Sequence, residues 1–230
     1  MLGIIGAMEV EVAALKQSMQ NTKVIDKAGM KFYQGKISDK DVVVVKSGIG
    51  KVNAGICTQI LADIFQVGAV INTGVAGSLN NHINICDIVI SREAQQHDMD
   101  VTALGYDKGI IPDMETSVFL ADKKLIELAK ASAEEVKLNV NIFEGKVVSG
   151  DQFIGTIDSK THLREKFYGD CAEMEGAAIA HAASLNNIPF LIIRAISDKA
   201  DGGAEMDYPV FEKKAAENSI KLMNKIIENY

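Results

Sequence analysis

The chain has 230 residues, 47% of them hydrophobic, and a formal net charge of −7 with acids and bases mixed along its length. It contains no Lys/Arg-rich run, which argues against nucleic acid and anionic membranes as partners, and no stretch of the roughly 18 unbroken apolar residues that a membrane span needs. The N-terminus, MLGIIGAME, lacks the basic and apolar regions of a secretory signal, and Cys57, Cys86 and Cys171 form no C-x-x-C pair, so a reduced cytoplasmic protein is expected.

In chain order, LGIIG (2–6) is a short apolar run ending in glycine. Residues 9–20 carry helical spacing, with Val12, Leu15 and Met19 on one face. Residues 31–36 and 41–46 read as strands, and the four valines of DVVVVK imply burial on both faces. SGIGKVNA (47–54) opens a helix to about residue 65. GAVINTG (68–74) is a buried strand with a glycine-rich exit, and CDIVISREA (86–94) is another strand. Residues 95–117 are irregular, 121–137 form an amphipathic helix, and NVNIFEGKVVSG (139–150) is a strand pattern. A helical patch near 158–167, a short strand near 170–174, a helix of small residues after it, the strand FLIIRAI (190–196) and a helix over about 209–228 complete the chain. Alternating strands and helices predict an α/β sandwich around a mostly parallel or mixed sheet. Three prolines and no low-complexity linker predict one domain over residues 1–230.

Several motifs have bland readings. SGIGKVN satisfies neither a P-loop, which needs four residues between its glycines, nor a dinucleotide loop, which needs glycine where Asn53 stands. A tight strand-to-helix turn explains Gly48 and Gly50 equally well. In NTGVAG, Gly74 and Gly77 either permit close approach to a ligand or form a plain turn. HDMD (97–100) offers His97, Asp98 and Asp100, but without a second nearby histidine a polar loop outweighs a metal site. His82, His162 and His181 are isolated, and no Ser-His-Asp or Cys-His pairing is evident.

The acids say more. Glu9 and Glu11 follow the first strand, Glu173 and Glu175 bracket Met174 where a strand turns into a helix, and Ser197-Asp198 follows FLIIRAI with Arg194 just inside its end. Helix N-termini attract one such acid readily, and a solvated first turn explains one of Glu9 and Glu11. Separate carboxylates at one sheet edge suit cleavage of a glycosidic bond, one group protonating the leaving group and another activating water.

GIIGAMEVEV, SGIGKVNA, NTGVAG, SGDQFI, AEMEGAAIA and RAISDKAD, in this order and spacing, resemble the methylthioadenosine/S-adenosylhomocysteine nucleosidases of the nucleoside phosphorylase superfamily. The likeness covers essentially the whole chain. It implies a three-layer α/β/α sandwich with a mixed central sheet, a cytoplasmic homodimer, no metal or organic cofactor, and hydrolysis of the adenine–ribose bond of 5′-thio nucleosides. The resemblance assigns Glu11 as the base for water, Asp198 as the acid at adenine N7, oriented by Ser197, and Glu175 as the partner of the ribose hydroxyls. Met174 is expected on the ribose, Arg194 near the water, Phe153 on the adenine face and the Ile154 backbone on its Watson–Crick edge. Met8, Ile49 and Tyr208 are expected around the sugar and 5′-thio group, and Val75, Ala76 and Gly77 among the substrate-binding residues. Glu173 is expected to support the loop or the ribose region from further out. Val101, Leu104 and Pro112 match positions that reach the neighbouring subunit's pocket. Val75 stands where many relatives carry serine, so the water is expected to rest on Glu11 and Arg194 alone. Tyr208 and Leu104 stand where phenylalanine is common. A phosphate-dependent purine nucleoside phosphorylase is the alternative, disfavoured by the acidic turn GAMEVEV. A catalytically silent nucleoside-binding module is disfavoured by the intact acids.

Overall fold

The computed structural model describes residues 1–199 and 204–230, without the side chains of 204–210. The wholly buried run LGIIG forms β1 (Leu2–Gly6), parallel to both β4 (Lys40–Lys46) and β5 (Ala69–Ser78). All four valines of β4 are buried, and they alternate between two cores. Val42 and Val44 join Val12 and Leu15 of α1 (Glu9–Ser18), while Val43 and Val45 join Ala54, Cys57 and Leu61 of α2 (Lys51–Asp63). Because successive strand side chains point to opposite faces, an unbroken apolar run is what a doubly covered strand requires. Each such side chain contributes about 1.5–3 kcal/mol on burial.

The helices divide accordingly. α1, α3 (Lys123–Val136) and α6 (Ala204–Asn229) cover one face, and α2 and α5 (Gly176–Leu185) cover the other. Asp122 starts α3 by accepting from the backbone N–H groups of Lys124 (2.9 Å) and Leu125 (3.0 Å), which satisfies two otherwise orphaned donors. α4 (Ile157–Phe167) packs Leu163 and Phe167 into a third, smaller cluster with Leu79, Val148 and Ala172.

The sheet is mixed. β3 (Met30–Ile37) and β2 (Gln20–Lys27) extend it antiparallel beyond β4. On the other side, β5 pairs with both β10 (Phe190–Asp198) and β9 (Cys171–Glu173). From β10 the pairing continues through β6 (Ile88–Gln96) and β8 (Ile142–Ser149) to β9. These five strands therefore close on themselves. β7 (Val118–Leu120) pairs with β6 outside the ring.

Two strands escape the sequence reading. β2 is exposed almost throughout and has the composition of a polar turn, QNTKVIDK; its partner β3 selects it, through a hairpin. β7 has only three residues, too few for a periodic signal. Of the stretch expected to be irregular, 95–117, Gln95 and Gln96 instead continue β6, paired to Val148 and Ser149 of β8, and the rest holds one 3₁₀ turn at Thr102–Leu104. No helix among the described residues is long and apolar enough to cross a membrane.

Candidate active site

The acids converge on one cavity, lined by β5, β9 and β10 of the strand ring and by Met8, Glu11, Ile49 and Phe153 from outside it. The convergence is not that of a simple sheet edge, because β9 runs antiparallel to β5 while β10 runs parallel to it. Gly77 pairs with Ala172 on one side and Asp198 on the other. Chain leaving Ala172 thus returns along Ala76 and Val75, bringing Glu173, Met174 and Glu175 opposite Arg194 and Asp198. All of these residues line the cavity, together with Met8, Glu11, Ile49, Phe153 and Ser197.

Glu11 lies on the first turn of α1 and is 2% exposed. Its carboxylate accepts from the N–H groups of Ala7 (2.7 Å), Met8 (2.9 Å) and Val75 (3.1 Å), and Arg194 Nη1 stands 4.0 Å from Oε1. Burial pushes the Glu11 carboxyl above the usual carboxylate range, against the pull of Arg194 and the three N–H donors. Glu9, by contrast, faces outward and bonds Lys16.

Arg194, fully buried at the carboxyl half of β10, is the hub. Its Nη2 donates to Glu173 and to the Asn72 side chain, and lies 3.6 Å from Glu175 Oε2; its Nη1 donates to the Val75 carbonyl (3.2 Å). Burial works against its charge, but Glu173, Glu175 and Glu11 together hold its pKa above the ordinary value. Glu173 accepts from Ser149 Oγ and from the N–H groups of Glu175 (3.0 Å) and Gly176 (2.8 Å). It therefore caps α5 and anchors Arg194 at once.

Glu175, 4% exposed, reaches across to α2. Its Oε1 accepts from the N–H of Gly50 (2.9 Å), at the start of α2. Burial first, and then the neighbouring Glu173, raise its pKa to about 7, against the pull of Arg194. The N–H of Lys51 donates to Asp151 (2.8 Å). The positive end of α2 thus holds two carboxylates of the protein itself, and SGIGKVN is no phosphate loop. Gly50 has φ +97°, a conformation side chains rarely adopt.

The glycines of NTGVAG make room for side chains rather than for a bare backbone contact with ligand. A Cβ on Gly74 would run into Glu11 Oε1 and Arg194 Nη1, and one on Gly77 would lie 2.8 Å from Asp198 Oδ2. Asp198 is 2% exposed; its Oδ1 accepts from Ser197 Oγ (3.0 Å) and its Oδ2 from Lys160 Nζ (2.6 Å).

The chain matches the family model described as "Phosphorylase superfamily" over residues 1–228. It is 43% identical over 229 residues to the 5′-methylthioadenosine/S-adenosylhomocysteine nucleosidase of Staphylococcus saprophyticus, covering 99% of both chains. The chain belongs to this nucleosidase family. The nucleosidase of Neisseria meningitidis, solved with methylthio-immucillin-A, superposes with a TM-score of 0.94 at 38% identity, covering 100% of this chain and 99% of that one. The futalosine hydrolase of Helicobacter pylori superposes with a TM-score of 0.94 at 32% identity, covering 100% and 97%.

Placed against the nucleosidase expectations, Glu11, Glu175 and Asp198 share the cavity, and so do Met8, Ile49, Val75, Ala76, Gly77, Phe153, Glu173, Met174, Arg194 and Ser197. The Ile154 side chain packs against the Leu163–Phe167 cluster instead of lining the cavity. The side chain of Tyr208 lies outside the described residues. Val101, Leu104 and Pro112 stand off the cavity on the irregular segment, with Leu104 74% exposed. HDMD is a loop: Asp98 bonds Lys51, Asp100 bonds Thr102, and the described residues contain no cluster suited to a metal. Sequence reasoning missed Lys160, Ser149 and Asn72. Lys160 gave a usable signal, being a lysine in line with Leu163 and Phe167 on the buried face of α4.

Proposed function

We propose that this nucleosidase hydrolyses the N-glycosidic bond of 5′-methylthioadenosine and S-adenosylhomocysteine, releasing adenine and the 5-thioribose product. The observation that carries the reading is the meeting of Glu11, Glu175 and Asp198, from three distant parts of the chain, around one cavity with Arg194. Adenine leaves poorly unless protonated, and Asp198 is assigned to deliver a proton to N7, with Ser197 orienting it. As the base departs, the sugar takes on oxocarbenium character, which Glu175 stabilises as a fixed anion that also accepts from the ribose hydroxyls. Donation from those hydroxyls and the developing cation both favour the charged form of Glu175 over the protonated one. Glu11 removes a proton from the attacking water. Its raised pKa brings it nearer neutral pH, where a general base works best. Arg194, held by Glu173 and Asn72, fixes Glu11 and Glu175 relative to each other. Met174 is assigned to the ribose, Phe153 to the adenine face and the Ile154 backbone to its edge, with Met8, Ile49 and Tyr208 around the 5′-thio end. No cofactor is required.

A phosphorolytic reaction needs a cationic seat for phosphate beside the ribose. Arg194 is the basic residue that lines the cavity among the described residues, and its Nη groups are already bonded to protein oxygens. Water is therefore the nucleophile the site favours.

The whole chain is assigned as one nucleosidase domain that works as a cytoplasmic homodimer. Exposed apolar side chains on α2 and the irregular segment, Val52, Ile56 and Leu104, support the dimer. In it, Val101, Leu104 and Pro112 would complete the partner's 5′-thio pocket. Chromatography of free adenine released from 5′-methylthioadenosine, S-adenosylhomocysteine, 5′-deoxyadenosine and 6-amino-6-deoxyfutalosine, with and without phosphate, tests the reaction. Release of adenine with free thioribose, unaffected by phosphate, is expected. Release that requires phosphate would overturn the hydrolytic reading.

A further inference from the structure

α4 is an amphipathic helix whose inward stripe should be apolar, yet Lys160 stands on it and is 1% exposed. A buried ammonium is costly unless it is paired and hydrogen-bonded. Lys160 is both: Nζ lies 2.6 Å from Asp198 Oδ2 and donates to the carbonyl of Lys199. It does not line the cavity, so it reaches the chemistry only through Asp198.

Both oxygens of Asp198 are engaged, Oδ1 by Ser197 and Oδ2 by Lys160, and Gly77 leaves no room behind Oδ2. From β5, the backbone of Gly77 faces the carboxylate; from α4, Lys160; from β10, Ser197 and, further along the strand, Arg194. Arg194 is committed to Glu173 and Asn72, Glu11 and Glu175 gather around that guanidinium, and the Lys199 ammonium turns away to Asn84. Among the described residues, Lys160 is therefore the one charge in hydrogen-bond contact with Asp198.

We propose that Lys160 is the positioning residue of the general acid. It clamps Asp198 against Gly77, ties α4 to the chain leaving β10, and places its side chain against the carboxylate that serves adenine N7. Lys160 takes no part in the proton transfer itself; the proton reaches Asp198 from solvent and passes from there to the base. The proposal rests on the nucleosidase reading above.

The test is the pH profile of kcat/KM for adenine release, from about pH 5 to about pH 10, in the wild-type chain, Lys160→Met and Lys160→Arg. Removing a cation from contact with a carboxylate makes protonation easier, so the basic limb of Lys160→Met is expected to move up by about 1 pH unit or more. Its kcat near neutral pH is expected to fall about tenfold through loss of orientation, with KM little changed. Lys160→Arg keeps the charge and should keep the limb near its wild-type position. In an Asp198→Asn background, Lys160→Met should add no further loss of rate. A limb unmoved in Lys160→Met, an equal movement in both variants, or a full additional loss in the Asp198→Asn background would each overturn the assignment. Should Lys160→Met fail to fold, Lys160→Gln supports the same comparison. A wild-type chain that releases no adenine would count against the nucleosidase reading itself, whereas normal wild-type release with an unmoved limb counts against Lys160 alone.

Discussion

Gly74→Ala is the smallest change that should disable this site. A methyl built on Gly74 overlaps Glu11 Oε1 and Arg194 Nη1, both on groups that are almost completely buried. Neither can swing into solvent. Glu11 is tied to three backbone N–H groups and Arg194 to Glu173, Asn72 and the Val75 carbonyl. Relief of the overlap therefore requires the carboxylate and the guanidinium to part, each moving on the order of 1 Å. Overpacking of this kind costs about 1–3 kcal/mol of stability, and a 1 Å displacement of a reacting group costs about 10²-fold in rate. The expected result is a chain that still folds, with a Tm lowered by several degrees and kcat for 5′-methylthioadenosine reduced about 100-fold. The binding of free adenine should be retained, since Asp198, proposed to serve the base, pairs with Gly77 further along β5 rather than with Gly74. Calorimetry, steady-state adenine release and titration with adenine measure the three quantities. A kcat within about threefold of wild type would refute the idea that this glycine exists to let Glu11 and Arg194 meet.

Glu11→Gln and Asp198→Asn should each lower turnover by about 10²–10⁴-fold with the fold intact; circular dichroism and adenine release check both, and a wild-type-like rate in either would remove its assigned role. The raised pKa of Glu175, about 7 against 4.5 for the free side chain, makes a stability prediction. A group protonated more readily in the folded state contributes stability that is complete below pH 4.5 and is lost as pH rises through about 7. Ligand-free protein should thus lose roughly 3 kcal/mol across that window, measured by denaturant unfolding, and Glu175→Gln should flatten the slope; an identical slope in the variant would contradict the assignment. Leu104→Glu should raise KM for 5′-thio nucleosides more than it weakens adenine binding, whereas unchanged KM would argue against a pocket shared between subunits.

The elements were legible in the sequence wherever burial was complete. β1, β4, β5 and β10 announce themselves as apolar runs because both of their faces are covered, and α3 by its period. β2 was not legible because an exposed edge strand is chosen by its neighbour and keeps a polar composition. The acids were legible as a set, since carboxylates beside apolar strands demand partners. Their partners were not. The link between Glu175 and Gly50 spans 125 residues and that between Arg194 and Asn72 spans 122, and nothing local to either segment specifies such a pairing.

The same reasoning separates the two ends of the cavity. Around Arg194, one buried guanidinium is shared among Glu173, Glu175 and Glu11, and burial first, then Glu173, drives Glu175 toward its protonated form. At the end of β10, Asp198 has a cation of its own in Lys160. Carboxylates thus sit in different charge environments within one cavity, several sharing Arg194 and one paired with Lys160. The division depends on the glycines as much as on the charges. Gly74 lets Glu11 approach Arg194, and Gly77 lets Asp198 lie flat beneath Lys160. Gly77→Ala should therefore disturb Asp198, the acid proposed for adenine, and leave the anchoring of Glu11 intact, the reverse of Gly74→Ala. A pH profile altered in the first variant, beside a rate lowered evenly across pH in the second, is the pattern this separation requires.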